Sequence, residues 1–136
     1  MGLISFISNA GKKLFGGDEE PSAAALETEV ADLGLELKGT EISVEGDKVT
    51  LSGGDLSAEE REKIIVAVGN VDGIASVEAD ASDDIFHTVE KGDTLSAVAK
   101  KALGDANRYH EIFEANKPML SHPDKIYPGQ VLRIPQ

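Results

Sequence analysis

The stretch IYPGQVLRIP, residues 126–135, reads as a tight turn followed by a last strand. Tyr127-Pro128-Gly129-Gln130 puts proline and glycine where a type II turn needs them. Proline fixes φ at the first central position and glycine tolerates positive φ at the second. Val131, Leu132 and Ile134 then supply an apolar strand. Upstream, Phe86 to Val89 forms a short strand that can pair with it. Between the two, Asp93 or Thr94 caps a helix carrying Leu95, Val98, Ala99 and Ala102, and Gly104 ends it. Asp105 or Asn107 caps a second helix carrying Tyr109, Ile112 and Phe113, which Asn116 and Pro118 stop. The order is βααβ.

From Phe86 to Pro135 this sequence resembles a LysM domain over its whole length. LysM domains are small modules, usually met on bacterial wall proteins, that hold N-acetylglucosamine polymers. The resemblance implies a glycan groove between the loop after the first strand and the loop before the last. Its candidate residues are Gly92, Asp93, Thr94 and Leu95 on one side, with Met119, Leu120, Ile126 and Tyr127 on the other. The same residues also serve to cap a helix and fill a small core.

The middle of the chain carries a second pattern. AAALETEVADLGLEL has helical apolar spacing at Leu26, Val30, Leu33 and Leu37, weakened by Gly34. Ile42 and Val44, then Val49 and Leu51, alternate around Gly46-Asp47 as a β-hairpin does. Ser57 and Glu60 make a capping box before Ile64, Ile65, Ala67 and Val68. Gly69 stands where a helix C′ glycine belongs, and GIASVEA closes with a strand. VEGDKVTLSGGDLSAEEREKIIVAVGNVDGIASV resembles a BON domain, through its hairpin ending in V-x-L-x-G, its helix, and a glycine-containing turn into a last strand. BON domains are linked to lipid or ligand binding and are not enzymes. The expected fold class is α+β with two small domains. A BON domain (αββαβ) at 22–82 follows an N-terminal helix and acidic linker at 1–21, and a LysM domain (βααβ) occupies 85–136.

In MGLISFISNAGKKLFGG, Leu3, Phe6, Ile7, Ala10 and Leu14 fall at spacings of three and four, which predicts a short amphipathic helix ended by Gly16 and Gly17. Docking on the protein's own domain suits it better than a membrane surface, because it has only two lysines and no Trp. It makes a poor signal peptide: no basic residue precedes the apolar stretch, and Ser5 breaks it. Phe6 stands where a myristoylation signal wants Ser or Thr. A cytoplasmic protein is therefore expected.

Charge divides the chain. Residues 18–84 carry a net of −15 against −12 for the whole chain, whereas residues 1–17 carry +2 and residues 85–136 carry +1. An acidic middle repels nucleic acid and anionic lipid and concentrates cations. There are no cysteines, so disulfides and thiolate metal sites are excluded. His87, His110 and His122 lack close metal-ligand spacing. No nucleophile motif stands beside a plausible base, and no phosphate-binding loop is present. The expectation is a non-enzyme.

The order of parts resembles the bacterial cytoplasmic potassium-binding proteins of BON–LysM architecture. That resemblance implies K⁺ as the bound ion, with a role in sensing or buffering it and compaction on binding. Protein partners are unknown, neither nucleic acid nor stable membrane insertion is expected, and the protein is expected to be a monomer. A large monovalent ion suits neutral carbonyl oxygens, whereas carboxylate clusters suit divalent ions. The end of the second BON helix frees carbonyls, and Gly69 and Gly73 let the chain turn them inward. The candidate K⁺ ligands are the backbone carbonyls of Gly69, Val71 and Ile74, completed by Ile7 and Ala10 from the N-terminal segment. An ordinary helix cap and turn would use the same glycines. Two alternatives stay open: a LysM glycan-binding protein of the peptidoglycan or chitin type, and a BON-type membrane-associated protein.

Overall fold

The computed structural model describes residues 2–7, 22–81, 85–117 and 119–135. It is an α+β fold with two sheets and two apolar cores. In chain order the elements are β1 (Gly2–Ser5), α1 (Ala23–Asp32), β2 (Glu41–Glu45), β3 (Lys48–Ser52), α2 (Ala58–Gly69), β4 (Ser76–Ala79), β5 (Phe86–Thr88), α3 (Leu95–Leu103), α4 (Tyr109–Ala115) and β6 (Val131–Arg133). A 3-10 turn, Ala106–Arg108, precedes α4. The expected helix–hairpin–helix–strand order and the βααβ order both appear.

The N-terminus departs from expectation. Gly2–Ser5 is a strand, antiparallel to β4, rather than the start of an amphipathic helix. The reason is burial by alternation: Ile4 and Phe6 enter the core while Leu3 and Ile7 remain 52% and 49% exposed. Six residues rich in Ile, Leu and Phe fit periods of two and of three to four, and the free edge of β4 selects the strand. Ala10 and Leu14, on which the helical reading also rested, lie outside the described residues, as does the acidic linker.

The larger sheet has the order β1-β4-β3-β2, with β4 parallel to β3 and antiparallel to β1. The parallel step requires a crossover, which α2 supplies. Ser57 and Glu60 form the reciprocal capping box that starts α2. Helix α1 stops at Asp32, short of the spacing that runs on to Leu37, because Gly34 turns left-handed at φ 81° and its N–H closes on Ala31. Leu26 and Val30 from α1, Ile64, Ile65 and Val68 from α2, and Ile4, Val49, Leu51 and Val77 from the sheet make the first core. Val131, from the last strand of the chain, also belongs to it.

The second core joins Val89, Leu95, Val98, Ala99, Ile112, Leu120, Leu132 and Ile134. Thr94 caps α3 by accepting from Ala97 N–H, and Gly104 ends it left-handed at φ 81°. The Tyr127–Gln130 turn closes with Gln130 N–H donating to Tyr127 at 3.1 Å and Gly129 at φ 90°. Strand β6 then pairs antiparallel with β5, Leu132 opposite His87.

Candidate ion site at the end of helix α2

Three of the proposed ligand residues lie on one short turn. Gly69 is the last residue of α2, and the chain then passes through Val71 and Ile74 to reach β4 at Ser76. Val71 and Ile74 are buried with their side chains in the first core. Gly73 takes φ 99°, a conformation for which glycine carries no penalty, so the chain reverses there. The Val71 carbonyl accepts the Ile74 N–H at 3.1 Å, which leaves one of its two lone pairs for another partner.

Gly69 does not act as a left-handed cap. Its φ is not positive, and the cap position is taken by Asn70 at φ −81°. Glycine is required for a different reason: the Phe6 ring lies against it, and a Cβ at Gly69 would overlap Cζ and both Cε atoms of that ring. Phe6 N–H donates to the Ala75 carbonyl at 2.9 Å. The N-terminal segment therefore docks on this turn as a strand, with Ile7 next in line. Ala10 lies outside the described residues.

Two further contacts fix the turn. The Asp47 carbonyl, in the β2–β3 hairpin, accepts from Ala75 N–H at 2.8 Å. Asn70, buried, donates through Nδ2 to Val66 at 2.9 Å and to the Val131 carbonyl at 2.7 Å, while its Oδ1 accepts the Val131 N–H at 2.8 Å. Sequence reasoning missed Asn70. Its signal was a polar amide directly after an apolar helix end, but its partner stands 61 residues away. Among the described residues, no three His, Asp or Glu side chains are grouped so as to share a metal ion.

The glycan candidates divide between two hollows. Thr94 and Leu95 line one of about 310 Å³ with Ser96, Tyr109, Pro123 and Asp124. Tyr127 and Met119 instead line a smaller cleft, about 110 Å³, facing Glu29 of α1, Leu33 just past its end, and Asn70. Burial raises the Tyr127 phenol pKa. Leu95 and Leu120 are buried in the second core and Ile126 packs against it. Gly92 takes φ 89° in the β5–α3 loop. Asp93 is committed within that loop: its Oδ2 accepts Glu90 N–H and its Oδ1 accepts from Lys101, both at 3.0 Å. The Glu90 bond first, and Lys101 second, hold its carboxyl below the usual range.

Residues 87–135 match the model of the LysM domain family. The chain is 46% identical over 148 aligned positions to the potassium binding protein Kbp of Escherichia coli O6:H1, covering 100% of this chain and 99% of that protein. An uncharacterized protein of Deinococcus radiodurans is 46% identical over 52 residues, 38% of this chain and 20% of that protein. The uncharacterized protein YqbP of Bacillus subtilis is 39% identical over 59 residues, 37% of this chain and 27% of that protein. The two partial relatives share only about one module's length, whereas the Escherichia coli protein aligns from end to end. The chain belongs to the family of the potassium binding protein Kbp, and its C-terminal module is a LysM domain.

Proposed function

We propose that this protein binds K⁺ reversibly in the cytoplasm, through backbone carbonyls of Gly69, Val71 and Ile74 completed by Ile7 and Ala10, and that it senses or buffers the ion without catalysing a reaction. The end-to-end identity with a protein named for potassium binding carries this reading. The chemistry supports it. A helix C-terminus brings up to four carbonyls without intrahelical partners and a partial negative charge. Neutral carbonyl dipoles suit a large, weakly hydrated ion, whereas the hard divalent ions favour carboxylates. The turn is held by the Asn70, Asp47 and Phe6 contacts, and ion binding coupled to these contacts compacts the protein. In this reading residues 22–82 act as a BON domain that carries the ion and residues 85–136 as a LysM domain packed beside it. Among the described residues no helix is long and apolar enough to cross a membrane. Titration calorimetry with KCl, NaCl, LiCl and MgCl₂ tests the proposal. Heat is expected for K⁺, with Rb⁺ and Cs⁺ competing, and equal heats for Na⁺ and K⁺ at matched ionic strength contradict it.

The LysM match favours a second reading, binding of an N-acetylglucosamine polymer in the hollow beside Thr94 and Leu95. Adding a chitin oligomer to the same titration decides between the two.

A further inference from the structure

Strand β6 has two edges, and among the described residues one of them is paired with another strand. Gln130 and Ile134 bond toward β5, so Val131 and Arg133 present their N–H and C=O groups to the opposite side. Two asparagines fill that side. Asn70 bonds both main-chain groups of Val131, at 2.8 and 2.7 Å. Asn116 bonds both main-chain groups of Arg133, at 2.7 and 2.9 Å. Each asparagine caps a helix and also donates to the carbonyl four residues back, Val66 for Asn70 and Ile112 for Asn116. The two amides are chemically alike, but they come from different places. Asn116 belongs to the LysM module itself, whereas Asn70 lies within the turn that follows α2, between Gly69 and Val71.

We infer that Asn70 is a positioning residue for the ion site: its amide locks the Gly69–Ile74 turn to strand β6 and so fixes the direction of the carbonyls that the turn presents. The inference rests on the K⁺ reading above. Rotation of the Asn70 peptide changes the direction of the Gly69 carbonyl, and the side chain of the same residue is fixed by Val131. Val131 in turn packs its side chain into the first core. The part-buried Arg133–Glu62 ion pair, at 2.6 and 2.9 Å, ties the same strand to α2 a second time. Occupancy of the turn and seating of β6 then become a single linked equilibrium, with a reciprocal effect of each on the other.

The test compares Asn70→Ala with Asn116→Ala in the full-length protein. Both remove equivalent bonds from β6, but only the first lies in the turn. Calorimetric titration with KCl is expected to show about tenfold weaker binding for Asn70→Ala and unchanged binding for Asn116→Ala, within the usual span of coupling between sites. In hydrogen exchange, K⁺ is expected to slow the Val131 amide in the wild type and in Asn116→Ala. Asn70→Ser keeps a neutral polar group and buries no charge, so it provides a milder variant if Asn70→Ala does not fold, with weakening between the two. Wild-type binding with unchanged affinity in both Asn70 variants overturns the inference alone, and so does equal weakening by Asn70→Ala and Asn116→Ala. Absence of KCl heat in the wild type overturns the K⁺ reading and this inference together.

Discussion

Replacing Gly69 by alanine places a methyl group inside the space held by the Phe6 ring. Alanine is otherwise the better residue there, because Gly69 ends α2 with φ that is not positive, and removing a helical glycine is worth roughly 0.5–1 kcal/mol. Overpacking costs about 1–3 kcal/mol, so Gly69→Ala should destabilise the wild type by about 1–2 kcal/mol. Phe6 is buried, and truncating it to alanine should cost about 3–4 kcal/mol through lost transfer energy and the cavity left behind. In the Phe6→Ala background the obstacle is gone. Gly69→Ala should then stabilise by about 0.5 kcal/mol, a change of sign. Urea unfolding of the wild type, both single variants and the double variant measures the coupling, expected near 2 kcal/mol. Additive effects within about 0.5 kcal/mol would show that the ring does not rest on Gly69 and would refute the docking of the N-terminal strand on this turn.

Acid should weaken the fold between about pH 4.5 and 2. Lys38 first, and the Ser57 backbone second, lower the Glu60 carboxyl from 4.5 to about 2, so its contribution is present above 4.5 and is lost as pH falls through 2. Melts across that range should show the decline, and Glu60→Gln should flatten part of it. Cutting the Arg133–Glu62 pair with Glu62→Gln should cost about 1.5–3 kcal/mol, since it leaves a half-buried guanidinium short of its anionic partner; urea midpoints check it. Asp72→Asn should leave K⁺ affinity within twofold, because the proposed ligands are main-chain atoms, and a larger loss in titration would point to a carboxylate ligand. Chitin oligomers should bind weakly or not at all, and micromolar binding with chemical-shift changes at Thr94 and Ile126 would favour the glycan reading.

The elements set by local chemistry were legible in the sequence. The Ser57–Glu60 capping box, the Gly46-Asp47 hairpin and the Pro128-Gly129 turn each depend on residues within a few positions of one another, and each forms as expected. The elements set by distant partners were not. Gly2–Ser5 becomes a strand because β4 offers an edge more than seventy residues later. A comparably long separation hides the requirement for glycine at 69, which a helix cap explains from sequence and a phenylalanine ring explains in the fold. Asn70 carries no local sign of its bond to Val131. Deleting residues 1–11 would remove Ile4 and Phe6 from the core, so loss of a K⁺ effect in such a truncation would report unfolding as readily as a missing ligand. Gly69→Val carries the same ambiguity, since it collides with Phe6.

The most direct test of the account reads the carbonyls themselves. Carbonyl ¹³C chemical shifts of the full-length protein should be recorded with KCl and with NaCl at equal ionic strength. Saturable K⁺-dependent shifts are expected at Gly69, Val71 and Ile74, with Ile7 and Ala10 moving over the same concentration range and no matching response to Na⁺. Shifts confined to Asp and Glu side chains, or equal for the two salts, would contradict it.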